Sequence, residues 1–245
     1  MEEKIFNEKL ALAENTAKFW HKGVDYGGKK CTGPDDESGM FAQVKGTAQK
    51  VSAFYHINVE DKQQVEEKQQ IVLTAYLYKA LEVKRLNEKA IEARKNATKE
   101  DVLRAIAHNF SPEVASIVEE LAGEPEEDKS QTKEQQWQEK TKWAMGLSHQ
   151  AKVILLAEKL QNFEVSYKNP NPKKPPEWHI EYYKTRMIMV EALRDACPAL
   201  YEECVKYFSL GVNSLSKENS IRVIGTNNQM EEKALSEAKQ IQKGE

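Results

Sequence analysis

Apolar residues in this chain recur at helical spacing and almost never alternate. Glu3–Lys22 carries Ile5, Phe6, Leu10, Leu12, Ala13, Ala17, Phe19 and Trp20, a stripe with the three-to-four-residue period that lays one face of a helix on a core. Asp61 opens another, with Val65, Ile71, Val72, Ala75, Leu77 and Leu81 on its inner face. The one run of strand character is Ile221–Ile224. With so few period-two segments a sheet has nothing to be built from, so the expected fold class is all-α.

Stop and start signals divide the chain. Gly23 suits the residue after a first helix, with His21-Lys22 complementing its last turn. Val24–Gly39, with four glycines, a proline and four acids, reads as a loop, and Phe41–His56 as a second helix. The helix opened at Asp61 is expected to continue through Val83–Lys95 as a charged, solvated extension. Thr98-Lys-Glu-Asp101 is a capping-box pattern, and Ser111-Pro-Glu-Val a second N-terminus with proline at its first position. Gly123–Gln131 is an acidic loop, Gln135–Met145 a helix, and Ser148 a cap for the helix after it. Four prolines within Asn169–Pro176 forbid a helix there. Glu177–Ala196 and Pro198–Phe208 close the series.

Apolar density falls after Gly211. The expected organisation is one helical domain over residues 1–211 and a polar tail over 212–245, with a terminal helix at Met230–Gln242. A net charge of −3, with charged residues at 31%, gives no global field for nucleic acid or membrane. The longest apolar run, Val153–Ala157, is far short of the ~20 residues that cross a bilayer. The acidic N-terminus is not a signal peptide. Cys31, Cys197 and Cys204 are odd in number and lack metal-type spacing, which fits a reduced, cytoplasmic protein. If Cys197 and Cys204 lie two turns apart on one helix, about 10.5 Å, they cannot form a disulfide.

Chemistry enters at Lys152-Val-Ile-Leu-Leu-Ala-Glu-Lys-Leu-Gln-Asn162, an apolar helix with one carboxylate, Glu158, in its middle. This stretch resembles the Leu-Ala-Asp-Lys-Leu-x-Asn helix of the HD-domain phosphohydrolases of the RelA/SpoT type, metazoan SpoT homologs included. In that family the aspartate binds a divalent metal. Ala17–Gly23 resembles its Ala-x-x-x-His-x-Gly element, with His21 at the ligand position. Met40–Val51 matches by position the segment that supplies a second histidine, and Gln43 stands there. Ala75–Val83 is similar to Ala-x-Leu-His-Asp-x-x-Glu-Asp, with Tyr78-Lys79 in place of the His-Asp pair and Glu82 kept. His108–Glu120, Trp178–Tyr183 and Ala199–Phe208 resemble the remaining helices, so the likeness spans roughly Leu10–Phe208.

The resemblance implies an HD-type bundle and a pocket for a guanosine nucleotide phosphorylated at two ends. It places Lys22, Lys29, Lys30, Lys79 and Asn162 along that pocket and Glu82 as its catalytic group. Each also has a plainer reading: solvated lysines, a helix-ending asparagine, a histidine favoured at a helix C-terminus. Tyr182 and Tyr183 read first as core and second as a base-stacking platform.

Four ligand positions carry the wrong residue type: Gln43, Tyr78, Lys79 and Glu158. A neutral amide is a poor transition-metal ligand, and an ammonium repels a divalent cation. The expectation is therefore a degenerate HD-domain protein without a cofactor, which binds a nucleotide or a protein and neither nucleic acid nor membrane. Two alternatives stay open. One is an active phosphohydrolase that holds Mn, Fe or Zn with His21, Glu82, Glu158 and His108 or His149. The other is a helical interaction module without HD ancestry.

Overall fold

The computed structural model describes residues 3–26, 31–32, 36–126, 128 and 130–215. Ten α-helices occupy them: α1 Glu3–His21, α2 Gly39–Phe54, α3 Lys62–Leu77, α4 Glu88–Ala93, α5 Lys99–Asn109, α6 Pro112–Ala122, α7 Lys133–Met145, α8 His149–Lys168, α9 Pro176–Ala192 and α10 over 198–215. Among the described residues there is no strand, so the all-α expectation holds.

The centre of the bundle is α8. From Ala151 to Phe163 it is buried on nearly every side, as an apolar helix without a polar face must be. α2 lies along it, and the approach is close at Gly46, where any Cβ would collide with the Gln161 side chain. α3 packs on α2, on α1 and on α8, and buries Ile71 through Leu77 without a break. α5 pairs with α6, and α7 with α9.

The helix starts read from sequence are built as expected. Thr98 Oγ1 accepts from Asp101 N while Asp101 accepts from Thr98 N, closing the capping box. Ser111 and Ser148 cap α6 and α8. A second capping box, Thr132 with Gln135, begins α7 two residues earlier than expected.

Three expectations need correcting. The third helix does not run on through Lys95. It ends at Leu77, a 3-10 turn follows at Val83–Arg85, and α4 begins afresh after Asn87. Long-range hydrogen bonds override helix propensity there. Asn87 Nδ2 donates to Phe19 O (2.6 Å) and Lys22 O (3.2 Å), Asn87 N donates to Trp20 O (2.8 Å), and Arg94 Nη1 donates to Ala80 O (2.5 Å). α9 stops at Ala192, with a 3-10 turn at Arg194–Ala196. Cys197 then precedes α10 and is not in a helix with Cys204. Both are free and buried, their thiols near Phe54 O and Leu156 O.

α10 continues past Gly211 to 215, where Leu215 is buried on the core. The Ile221–Ile224 and Met230–Gln242 readings lie outside the described residues.

Candidate functional site

His21 closes α1 and is fully buried. Its Nδ1 donates to Arg85 O at 2.6 Å, since a carbonyl can only accept, so the neutral ring keeps its lone pair on Nε2. That nitrogen is buried with no hydrogen-bond partner. Burial, and then the nearby cations Arg94, Lys79 and Arg85, pull the imidazole down to a pKa of about 4, so it is neutral at pH 7.

Gln43 is buried on α2, with its Nε2 unpartnered. Tyr78, just past α3, is buried as well. Its hydroxyl neighbours Thr47, one turn along α2 from Gln43, but meets no partner at hydrogen-bond geometry. Desolvation, then the Glu158 charge, holds the phenol well above its ordinary range.

Lys79 is 6% exposed. Its Nζ lies 2.5 Å from Glu82 Oε1 and 3.8 Å from Glu124 Oε2, and 4.9 Å from the centre of the Tyr78 ring. Burial alone would lower this ammonium's pKa, yet Glu158, Glu82 and Glu124 together raise it, so Lys79 is charged.

Glu158 is 5% exposed in the middle of α8. Its ion contact is the next residue in the chain: Lys159 Nζ stands 3.2 Å from Glu158 Oε2, and Lys79 acts on it from further off. Against desolvation, Lys159 and then Lys79 hold this carboxyl below its ordinary range. Glu124 takes Lys140 at 2.9 Å. Burial opposes its ionisation, but Lys79, Lys159 and Lys140 bring it down to about 2. Glu82 also faces Arg85, at 3.6 Å.

The result is an ionic cluster just past the ends of α3 and α6 and against the middles of α7 and α8. Carboxylates Glu82, Glu124 and Glu158 alternate with cations Lys79, Lys140, Lys159 and Arg85. Every carboxylate in it already faces a side-chain cation, and those cations oppose the approach of a divalent ion.

Among the described residues, no three histidine, cysteine, aspartate or glutamate side chains are grouped to hold a metal. The alternative ligand set fails the same test. His108 is exposed on α5. His149 is exposed at the start of α8, its Nε2 against Tyr55 Oη at 3.3 Å and nine residues from Glu158, about 13.5 Å along a helix. The residues present therefore do not fit a divalent metal, and the reason is the ammonium groups of Lys79, Lys140 and Lys159 set among the carboxylates.

Of the ligand-pocket expectations, Lys22 is half-buried just beyond α1, and Asn162 is half-buried one turn along α8 from Glu158, on the same face. Lys29 and Lys30 lie outside the described residues. Tyr183 is core, its ring 5.3 Å from Phe163. Tyr182 is half-buried, 5.6 Å from Trp178 in a stacked pair, with the Arg186 guanidinium 3.6 Å from its ring centre.

Sequence reasoning did not find Glu124, Lys140 and Lys159. Glu124 sits in an acidic loop whose composition marks only a solvated turn, and its partners are distant in the chain. Lys159 was in view beside Glu158, but a helical neighbour at i+1 ordinarily points elsewhere.

The fold is an all-helical bundle. Among solved structures it is similar to a metazoan ortholog of SpoT, described as hydrolysing ppGpp and playing a role in starvation responses. The match has a TM-score of 0.53 over 85% of this chain and 96% of the other, at 20% sequence identity. Likeness at that identity establishes the fold alone. No protein-family model matches the chain, and no curated protein does.

Proposed function

We propose that this chain is an HD-type bundle that has replaced its metal with a built-in ionic cluster, and that it binds a phosphorylated guanosine-type nucleotide without hydrolysing it. The observation that carries this reading is Lys79, withdrawn from water and 2.5 Å from Glu82, at the position where the family resemblance expects the aspartate of a metal-binding His-Asp pair. A fixed ammonium supplies positive charge for a bound phosphate. It cannot lower the pKa of a water as a Lewis-acidic ion does.

Nucleotide rather than protein is favoured by what surrounds the cluster. Arg85 flanks Glu82, the Trp178–Tyr182 stack stands near Glu158, and Arg186 lies across Tyr182. Stacked rings beside cations suit a planar base bearing phosphates.

The test is a thermal-shift series with guanosine nucleotides, with and without Mn²⁺, alongside elemental analysis of protein purified in metal-replete medium. A ligand at 100 times its Kd adds about 2.7 kcal/mol of stability. The expected result is a metal-independent shift that is lost in Lys79→Met, with no phosphate released. Stoichiometric Mn, Fe or Zn, or turnover of the nucleotide, would return the chain to the metal-dependent phosphohydrolases. No shift with any nucleotide would leave the protein-partner reading.

A further inference from the structure

Arg94 follows α4 and is half-buried, and among the described residues no carboxylate forms an ion pair with it. Its Nη1 donates to Ala80 O at 2.5 Å, and its guanidinium carbon lies 4.1 Å from the centre of the Trp20 ring. Nη2 is buried without a partner. Desolvation draws its pKa down to about 10, with no opposing charge among the causes. A cation withdrawn from water and left without a countercharge is a costly arrangement, and it contrasts with the fully paired cluster around Lys79.

Two hollows meet at this residue. The smaller, about 280 Å³, lies between α1 and α5 and is walled by Leu12, Trp20, Val102 and Phe110. The larger, about 490 Å³, is walled by Leu81, Val83, Leu86 and Ile91. Arg94, Ala97 and Val102 line both. Exposed apolar side chains stand on their rims: Leu12 at 43%, Val83 at 63% and Ile91 at 43%.

Two carboxylates also line the walls, and both are already engaged. Asp101 is held by its capping box, and Glu119 by Lys99 at 2.7 Å. Neither hollow shares a residue with the Lys79–Glu82–Glu124–Glu158 cluster.

We propose that these joined hollows form a second binding site, for a small monocarboxylate with an apolar body. The carboxylate supplies the charge and acceptors that Arg94 lacks, and the body packs between Trp20, Val102 and Phe110. Apolar walls with one placed polar group are the usual make-up of a small-molecule site. A guanidinium prefers a carboxylate because its fork matches two oxygens. The inference stands independently of what binds at the ionic cluster.

Isothermal titration with decanoate and decanol, both below their aggregation limits, tests the site. Decanoate is expected to bind saturably and at least tenfold more tightly than decanol, weakening by up to about fourfold for each methylene removed. Arg94→Met removes that preference, so the two bind alike. Ala105→Trp, at an exposed position on the smaller hollow's wall, leaves Arg94 in place and abolishes decanoate binding, which keeps the test valid should Arg94→Met fail to fold. Equal affinity for acid and alcohol in the unaltered chain overturns the proposal, as does no saturable binding. So does self-association that Ala105→Trp abolishes in the absence of decanoate binding, which would give the face to a second copy of the chain.

Discussion

Lys79 Nζ stands 2.5 Å from Glu82 Oε1, three residues further along the chain, with the lysine side chain 8% exposed and the glutamate 19%. A pair so withdrawn is a strong local constraint. Its attraction offsets the desolvation of both ions only while both are present. Lys79→Met is therefore expected to cost about 3–5 kcal/mol, because Glu82 and Glu124 lose their shared cation. The double variant Lys79→Met/Glu82→Gln recovers part of that loss. Urea denaturation of both chains measures it, and a single-variant loss under about 1 kcal/mol would mean that water already screens the pair.

Stability should fall in acid in two stages. The His21 imidazole drops from 6.5 to about 4 on folding because burial disfavours its cation. Between those values the unfolded chain binds more protons, so stability is full above about pH 6.5 and declines as the pH falls to about 4. The slope is at most about 1.4 kcal/mol per pH unit. Glu124 titrates lower, near 2 against an ordinary 4.5, so its contribution is present above 4.5 and is lost below. His21→Leu should flatten the upper stage and leave the lower. A pH–stability profile with both stages intact in that variant contradicts the assignment.

At Gly211 two effects compete. Alanine in place of a mid-helix glycine gains roughly 1 kcal/mol of helix propensity. Here the new Cβ would meet the Tyr183 ring, which is 1% exposed and cannot swing aside. Overpacking costs about 1–3 kcal/mol, so Gly211→Ala should be net destabilising. Pairing it with Tyr183→Leu should restore the propensity gain, as read by thermal melting.

Rebuilding the family's ligand set is a direct test of shared ancestry. The quadruple variant Gln43→His/Tyr78→His/Lys79→Asp/Glu158→Asp restores four ligand positions beside His21. It is expected to take up Mn, Fe or Zn, measured by elemental analysis after gel filtration. A folded variant that stays metal-free would mean that these positions do not converge.

Much of the scaffold was legible because its cues are local. Thr98 with Asp101, Ser111 with Pro112, and Ser148 each announce a helix start within four residues, and each is built that way. The break after Leu77 was not legible, because it is fixed by Asn87 and Arg94 reaching carbonyls 14 to 68 residues away. The same distinction runs through the site. His21, Gln43, Tyr78, Lys79 and Glu158 stood out through their positions in a known pattern, and the loss of metal-type residues was readable from their chemistry. That Glu158 would pair with Lys159, and that Glu124 and Lys140 would join Lys79, depends on how α6, α7 and α8 meet, which no window of sequence contains.

Asn87 fastens the end of α1 with three hydrogen bonds spanning 65 to 68 residues of intervening chain. Closing so long a loop is entropically slow, and local helices form far earlier. The bundle's helices should thus assemble before His21 is set in place, so that its surroundings mature as one of the last events of folding. An Asn87→Ala chain would then refold its helices at the usual rate while the His21 pocket stayed loose.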